Sequence, residues 1–124
     1  MESLIIKKTE ETPAIIFNPK KNIFQLVATS WPENAKEFYA PVISWLDEYF
    51  LNTPLEETIF QFRLNYMNTA SAKQVARILS LLKKHSSKHK IIFQWYYEKG
   101  DWDMLKEAKR LSLILNINFI IIEK

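Results

Sequence analysis

The chain has 124 residues, of which 48% are hydrophobic and 25% are charged, and its formal net charge is +3. This length fits one domain, so residues 1–124 are expected to form a single unit around one core. The lack of cysteine excludes disulfides, thiolate catalysis and Cys-based metal sites, and the presence of only one glycine, Gly100, excludes glycine-rich nucleotide-binding loops.

Neither a membrane span nor a secretion signal is recognisable in the sequence. No apolar run approaches the roughly 18–20 residues that are needed to cross a bilayer. The segment Met1–Glu11 contains acidic residues and lacks the apolar centre of a signal peptide. We therefore expect a cytoplasmic protein without membrane insertion.

Three short apolar segments at the start of the chain are predicted to be strands. They are Ser3–Lys8, Ala14–Asn18 and Ile23–Thr29. Proline and asparagine residues lie between them and favour tight turns. In the third segment neither face is clearly polar, which is compatible with a strand that is covered on both faces.

A helix is predicted to follow the third strand. Asn34 can cap it, and Glu37 stands three residues later, as in a capping box. Apolar residues then recur at helical spacing from Phe38 to Phe50. Pro41 lacks a backbone donor, so we expect either a kink or a start delayed to about Tyr39-Ala40.

The second half of the chain reads as strand, helix, strand, helix and strand. After residues 52–54 end the first helix, these elements are predicted at Thr58–Tyr66, Ser71–His85 and Ile91–Tyr97, in a helix capped by Asp101, and at Ile117–Ile122. Crossover helices of this length indicate parallel pairing of the strands that they connect. The predicted fold is α/β, with the N-terminal strands and the βαβαβ half forming a mixed sheet packed by about three helices. The apolar final segment suits a strand that is buried on both faces.

The predicted turn Met67–Ser71 lies where a strand ends and a helix begins. Unpaired backbone donors and the positive end of the helix dipole meet there, so a phosphate on Thr69 would be stabilised. Phosphorylation would add about −1.5 to −2 charges. Thr69 and Ser71 are also typical helix caps, and a capping role is compatible with modification.

A basic segment, Lys83–Lys90, follows the second predicted helix. It could bind the phosphate backbone of a nucleic acid, but no nucleic-acid-binding motif accompanies it, and a solvated helix end explains it better. His85 and His89 are four residues apart, but no further ligand accompanies them, so neither a metal nor a cofactor is expected.

Catalytic side-chain arrangements are not recognisable in the sequence. It contains no Ser–His–Asp, Cys–His or paired-carboxylate pattern with supporting context, although a deep pocket with titratable groups would favour an enzyme. The aromatic strand around Trp95 is predicted to pack in the core. Trp31 and Trp102 are candidate anchors for a partner protein.

Three segments carry a family resemblance: Thr12–Ile15, Trp31–Asn34 and, most specifically, Leu64–Lys73. Through them, and along nearly the whole chain, the sequence resembles the bacterial SiaC-type regulatory phosphoproteins. The resemblance implies a fold similar to the STAS/SpoIIAA-type anti-sigma-factor antagonists.

The resemblance also implies a function. Thr69 would be phosphorylated by a partner Ser/Thr kinase and dephosphorylated by a PP2C-like phosphatase. The unphosphorylated form would bind a target, for which the family offers a diguanylate cyclase, through Asn68, Thr69, Ser71 and Lys73. A serine commonly follows the acceptor in this family where this chain has Ala70, which removes a competing hydroxyl and can alter kinase recognition. We therefore expect a signalling switch without catalytic activity.

Overall fold

The computed structural model describes residues 1–52 and 54–124, within which six strands form one mixed sheet. The strands are β1 (Leu4–Ile6), β2 (Ala14–Asn18), β3 (Ile23–Ser30), β4 (Glu57–Met67), β5 (Lys90–Tyr97) and β6 (Phe119–Glu123). Their order across the sheet is their order in the chain. The first three strands pair antiparallel, and β3 to β6 pair parallel. The predicted α/β fold with a mixed sheet is confirmed.

Three α-helices of the described residues connect the parallel strands: α1 (Ala35–Leu51), α2 (Thr69–His85) and α3 (Trp102–Leu115). Right-handed crossovers between neighbouring parallel strands place such helices on the same face of a sheet. The central helix is α2, because it contacts both α1 and α3. None of the described helices has the length and apolar character of a membrane span.

The core lies between these helices and one face of the sheet. Phe62 on β4 and Trp95 on β5 stack with ring centroids 5.5 Å apart, and both are buried, as was predicted for the aromatic strand. Alternate residues point to the opposite face. There, Gln25 Nε2 donates to Gln61 Oε1 at 2.7 Å, and Gln61 Nε2 donates to Gln94 Oε1 at 2.8 Å. The face of β3 that carries Gln25 therefore has no helix over it among the described residues.

The delayed start that was considered for α1 is wrong. The helix begins at Ala35, and the predicted cap Asn34 accepts a hydrogen bond from the backbone N–H of Glu37 at 3.1 Å. The helix includes Pro41 and ends at Leu51. Pro41 offers no N–H to the Glu37 carbonyl, but both residues are exposed, so water can satisfy that carbonyl. Thr53, in the segment predicted to end this helix, lies outside the described residues.

The expectation that the last strand is buried on both faces is also wrong. β6 lies at the edge of the sheet and pairs with β5. Its Ile120 and Ile121 side chains are 51% and 40% exposed. A strand in an all-parallel sheet is buried on both faces when helices cover both faces. Here the helices cover only one face, and the edge position exposes the strand further.

Candidate functional site

Thr69 is the first residue of α2 and follows β4 after a single residue. That residue, Asn68, is the N-cap, since its Oδ1 accepts a hydrogen bond from the Ser71 backbone N–H at 2.9 Å. The prediction that Thr69 or Ser71 caps the helix is therefore wrong, and α2 starts two residues earlier than predicted. The Thr69 side chain is exposed. Because first-turn amides of a helix lack intrahelical acceptors, its hydroxyl stands where negative charge is stabilised.

A buried cluster of hydroxyl groups holds the first turn of α2 against the end of β3. The Ser30 hydroxyl donates to Ser71 Oγ at 2.8 Å and lies 2.6 Å from the Tyr39 hydroxyl. The backbone N–H of Asn68 donates to the Ser30 carbonyl at 3.0 Å. All three side chains of this hydroxyl cluster, Ser30, Tyr39 and Ser71, are fully buried. The cluster thus fixes β3, α1 and α2 relative to one another beside Thr69.

A β-bulge shapes the same corner. The register between β3 and β4 shifts after Ala28, so that Thr29 pairs with Tyr66 and Asn65 is passed over. Ala28 has φ of +84°, a conformation that residues other than glycine rarely adopt. The bulge leaves Tyr66 53% exposed while Ser30 stays buried. Bulges beside functional sites commonly redirect side chains in this way.

Two depressions meet at Thr69. One is an open groove of about 1300 Å³ between the N-terminal halves of α1 and α2, lined by residues that include Glu37 and Lys73. The other is a cavity of about 420 Å³ on the α3 side, lined by residues that include Tyr66 and Arg110. Thr69 lines both. A modifying enzyme or a partner protein can therefore reach it from either side.

The structure separates the four residues that were expected to bind a partner. Thr69 and Lys73 are exposed, one helical turn apart, and the cap Asn68 is partly exposed. Ser71 is fully buried. The expectation that its side chain contacts a partner is wrong, because its hydroxyl is used inside the hydroxyl cluster. Ala70 is exposed beside Thr69 and lines the groove.

Ser30 and Tyr39 support the site but were not predicted to do so. The sequence indicated Tyr39 only as a possible helix start, and it indicated no role for Ser30. Ser30 and Ser71 are separated by 41 residues in the chain. The sequence held one signal for this role: Ser30 continues the alternation of Phe24 and Leu26 along β3. A serine at such a position is a polar side chain in the core, which needs a hydrogen-bond partner.

Much of the basic segment Lys83–Lys90 is engaged in contacts within the chain. Three of its side chains bind neighbouring elements: Lys83 with the Asn116 carbonyl (2.8 Å), His85 with Asp47 (3.0 Å) and Lys90 with Glu57 (3.0 Å). The ion pair with Glu57 offsets the positive charge of Lys90. The contacts of Lys83 and His85 instead hold those two side chains against neighbouring elements, where they are less available to a nucleic acid.

Other candidate positions were the tryptophans and the histidine pair. Trp31 and Trp102 are 42% and 60% exposed, so both are accessible to a partner. His85 is buried and stacks on Phe50, with ring centroids 5.2 Å apart. Within the described residues no three His, Cys, Asp or Glu side chains are grouped so that they could hold a metal ion.

Tyr39 gives the hydroxyl cluster a testable pH dependence. Burial raises the pKa of Tyr39 from 10.0 to about 12, partly opposed by its hydrogen bond with Ser30. On unfolding the pKa returns to about 10, so between about pH 10 and 12 the unfolded chain loses a proton that the folded chain retains. The stability that neutral Tyr39 contributes should therefore be intact below about pH 10. Between about pH 10 and 12 we expect the free energy of unfolding to fall by up to about 3 kcal/mol.

Urea denaturation of the wild-type protein and of Tyr39→Phe, at about pH 9 and about pH 11, measures this effect. The substitution removes the titrating group, so the variant should lose less stability between the two pH values than the wild type. Equal losses in the two proteins would contradict the assignment to Tyr39.

The sequence is similar to those of known proteins over most of its length. The model of the SiaC family, described as a regulatory phosphoprotein family, matches residues 6–124. An uncharacterized protein of Pseudomonas aeruginosa (strain UCBPP-PA14) is 32% identical over 102 residues, which are 80% of this chain and 79% of that protein. The similarity therefore includes both the β3 and α2 sides of the site.

Solved structures show the same fold. SiaC of Pseudomonas aeruginosa has a TM-score of 0.87 and 26% identity to this chain, and the match covers 100% of both chains. A crystal structure from the same organism contains the diguanylate cyclase SiaD in complex with its activator SiaC. Its matching chain has a TM-score of 0.88 and 26% identity, with 98% of this chain and 99% of that chain covered. The chain belongs to the SiaC family of regulatory phosphoproteins.

Proposed function

We propose that this protein is a non-catalytic signalling switch of the cytoplasm, acting as one domain, with Thr69 as its regulatory phosphorylation site. A partner Ser/Thr kinase adds the phosphate, and a PP2C-like phosphatase removes it. The unphosphorylated form binds the target. The observation that carries this proposal is the exposed Thr69 hydroxyl at the first residue of α2, where it lines both the groove and the cavity.

A diguanylate cyclase is the proposed target. The support comes from the Pseudomonas aeruginosa relative SiaC, which is an activator in complex with the diguanylate cyclase SiaD. The whole fold is shared with that relative, so a comparable docking surface is available here. Target specificity depends on side chains, and these differ at most positions between the two proteins.

Phosphate on Thr69 is compatible with the fold and changes the surface. The first-turn amides and the helix dipole stabilise the added charge of about −1.5 to −2, so α2 is expected to persist. The phosphate projects into the space where a partner would contact the start of α2. Charge and bulk there disfavour an interface that was formed with a neutral threonine.

Phosphorylation by the cognate kinase tests the proposal. We expect peptide mass spectrometry to place a single phosphate on Thr69 and none on Ser71, because the Ser71 hydroxyl is fully buried. Thr69→Ser keeps a hydroxyl at the site and should still be modified, whereas Thr69→Ala should not. Phosphate found only at other positions would contradict the assignment.

A further inference from the structure

The exposed face of α2 carries only positive charge. Lys73, Arg77 and Lys84 are exposed, and α2 contains no acidic residue. At about 100° per residue these three side chains lie within about 40° of one another around the helix axis. We call them the cationic row. Thr69 stands one turn before Lys73 on the same side of the helix, so the row begins at the proposed phosphorylation site.

The charges of the cationic row are not neutralised within the described part of the chain. The ion pairs found there involve other cations. Arg77 donates from Nη1 to Gln74 Oε1 at 2.9 Å, which leaves its charge uncompensated. Three positive charges therefore face solvent along about 17 Å of helix between Lys73 and Lys84.

Both flanks of the Thr69 end are net negative. In the groove on the α1 side, apart from Lys73 itself, the charged lining residues are Glu33, Lys36 and Glu37. In the cavity on the α3 side they are Asp101, Asp103, Glu107 and Arg110. Packed helices are about 8–10 Å apart, so at the Thr69 end the cationic row is only one helix wide, with negative charge on both sides.

We propose that the cationic row is the docking surface for an acidic segment of the target protein. A single narrow segment can follow the row without meeting the flanking carboxylates. A nucleic-acid duplex fits less well, because its two phosphate backbones are separated by a major groove about 12 Å wide. With one backbone on the row, the other would approach the carboxylates of a flank.

This inference rests on the proposed function and gives a physical reason for release of the target. A phosphate on Thr69 precedes Lys73 by four residues, the spacing at which opposite charges pair on a helix. It would engage Lys73 within α2 and reduce the positive potential of the row. An acidic segment would then bind more weakly, without any change of fold.

Fluorescence anisotropy with a synthetic probe tests the row. The probe is a fluorescein-labelled helical peptide of about 14 residues with glutamate at every fourth position, long enough to span the row. We expect binding to the wild-type protein at low salt and loss of affinity as salt is raised. Arg77→Gln combined with Lys84→Gln should weaken binding about fivefold or more.

The matched control is Lys106→Gln combined with Lys109→Gln, which removes the same charge from exposed positions of α3. It should change affinity less than about twofold, because it lies away from the row. Equal losses in both double variants, or no salt-dependent binding by the wild type, would overturn the proposal. Tighter, equally row-dependent binding of a DNA duplex of matched charge would overturn it in favour of nucleic acid.

Probe binding measured with the protein phosphorylated on Thr69 distinguishes this inference from the proposed switch. Weaker probe binding after modification of Thr69 supports both. Row-dependent binding that phosphate on Thr69 leaves unchanged supports the docking surface and contradicts release of the target through a reduced positive potential of the row.

Discussion

Thr69→Glu is expected to weaken binding of the diguanylate cyclase target by about 30-fold or more, whereas Thr69→Ala should change it less than about threefold. The glutamate places a charge at the start of α2 that the target interface does not pair, and an unpaired interfacial charge costs about 2–5 kcal/mol. The small alanine removes only an exposed hydroxyl. Isothermal titration calorimetry with the purified cyclase measures all the affinities.

Thr69→Gln is the matched control for this prediction. Glutamine has the size of glutamate without its charge, so it separates electrostatic repulsion from steric obstruction. If charge causes release, the glutamine variant should bind markedly better than the glutamate variant. Equal affinities of the alanine, glutamine and glutamate variants would reject Thr69 as the switch.

Ser30→Ala is expected to lower the free energy of unfolding by about 2–4 kcal/mol, although it removes a single oxygen atom. The substitution leaves the Tyr39 and Ser71 hydroxyls buried without their partner in the hydroxyl cluster. A buried polar group that loses its partner costs about 1–3 kcal/mol. Urea denaturation followed by circular dichroism measures the change. Ser44→Ala, at an exposed position of α1, should stay within about 0.5 kcal/mol of the wild type.

A double-mutant cycle makes the Ser30 prediction specific to the hydroxyl cluster. Tyr39→Phe should cost less stability in the Ser30→Ala background than in the wild type, because removing both partners leaves fewer unsatisfied groups than removing one. Additive effects of the two substitutions would show that the hydroxyls are not coupled. A loss below about 1 kcal/mol for Ser30→Ala alone would contradict the role of the cluster.

Local signals were sufficient for most of the secondary structure. Asn34 and Asp101 cap their helices as predicted, since the capping geometry depends only on residues within one turn. The alternation in β4 was equally readable, because the buried Phe60 and Phe62 occupy one face of a strand with a period of two. The prediction failed at the start of α2, where Asn68, Thr69 and Ser71 are all residue types that cap helices.

The choice among those three residues depends on distant parts of the chain. The Ser71 hydroxyl is hydrogen-bonded to the hydroxyl of Ser30 on β3, so Ser71 does not serve as the cap. Asn68 is placed by the bond from its backbone N–H to the Ser30 carbonyl. With Asn68 as cap, the Thr69 side chain is left exposed. The exposure on which the proposed function depends is therefore a tertiary property.

The sequence by itself determined the order of the elements, the mixed α/β class and Thr69 as the candidate residue at a strand-to-helix junction. These follow from hydrophobic periods and turn residues, which act over a few positions. Only the tertiary structure decided that all three helices cover one face of the sheet, that β6 is an exposed edge and that Ser71 is buried. These features depend on hydrogen bonds and packing between residues that are far apart in the chain, and no local pattern records such contacts.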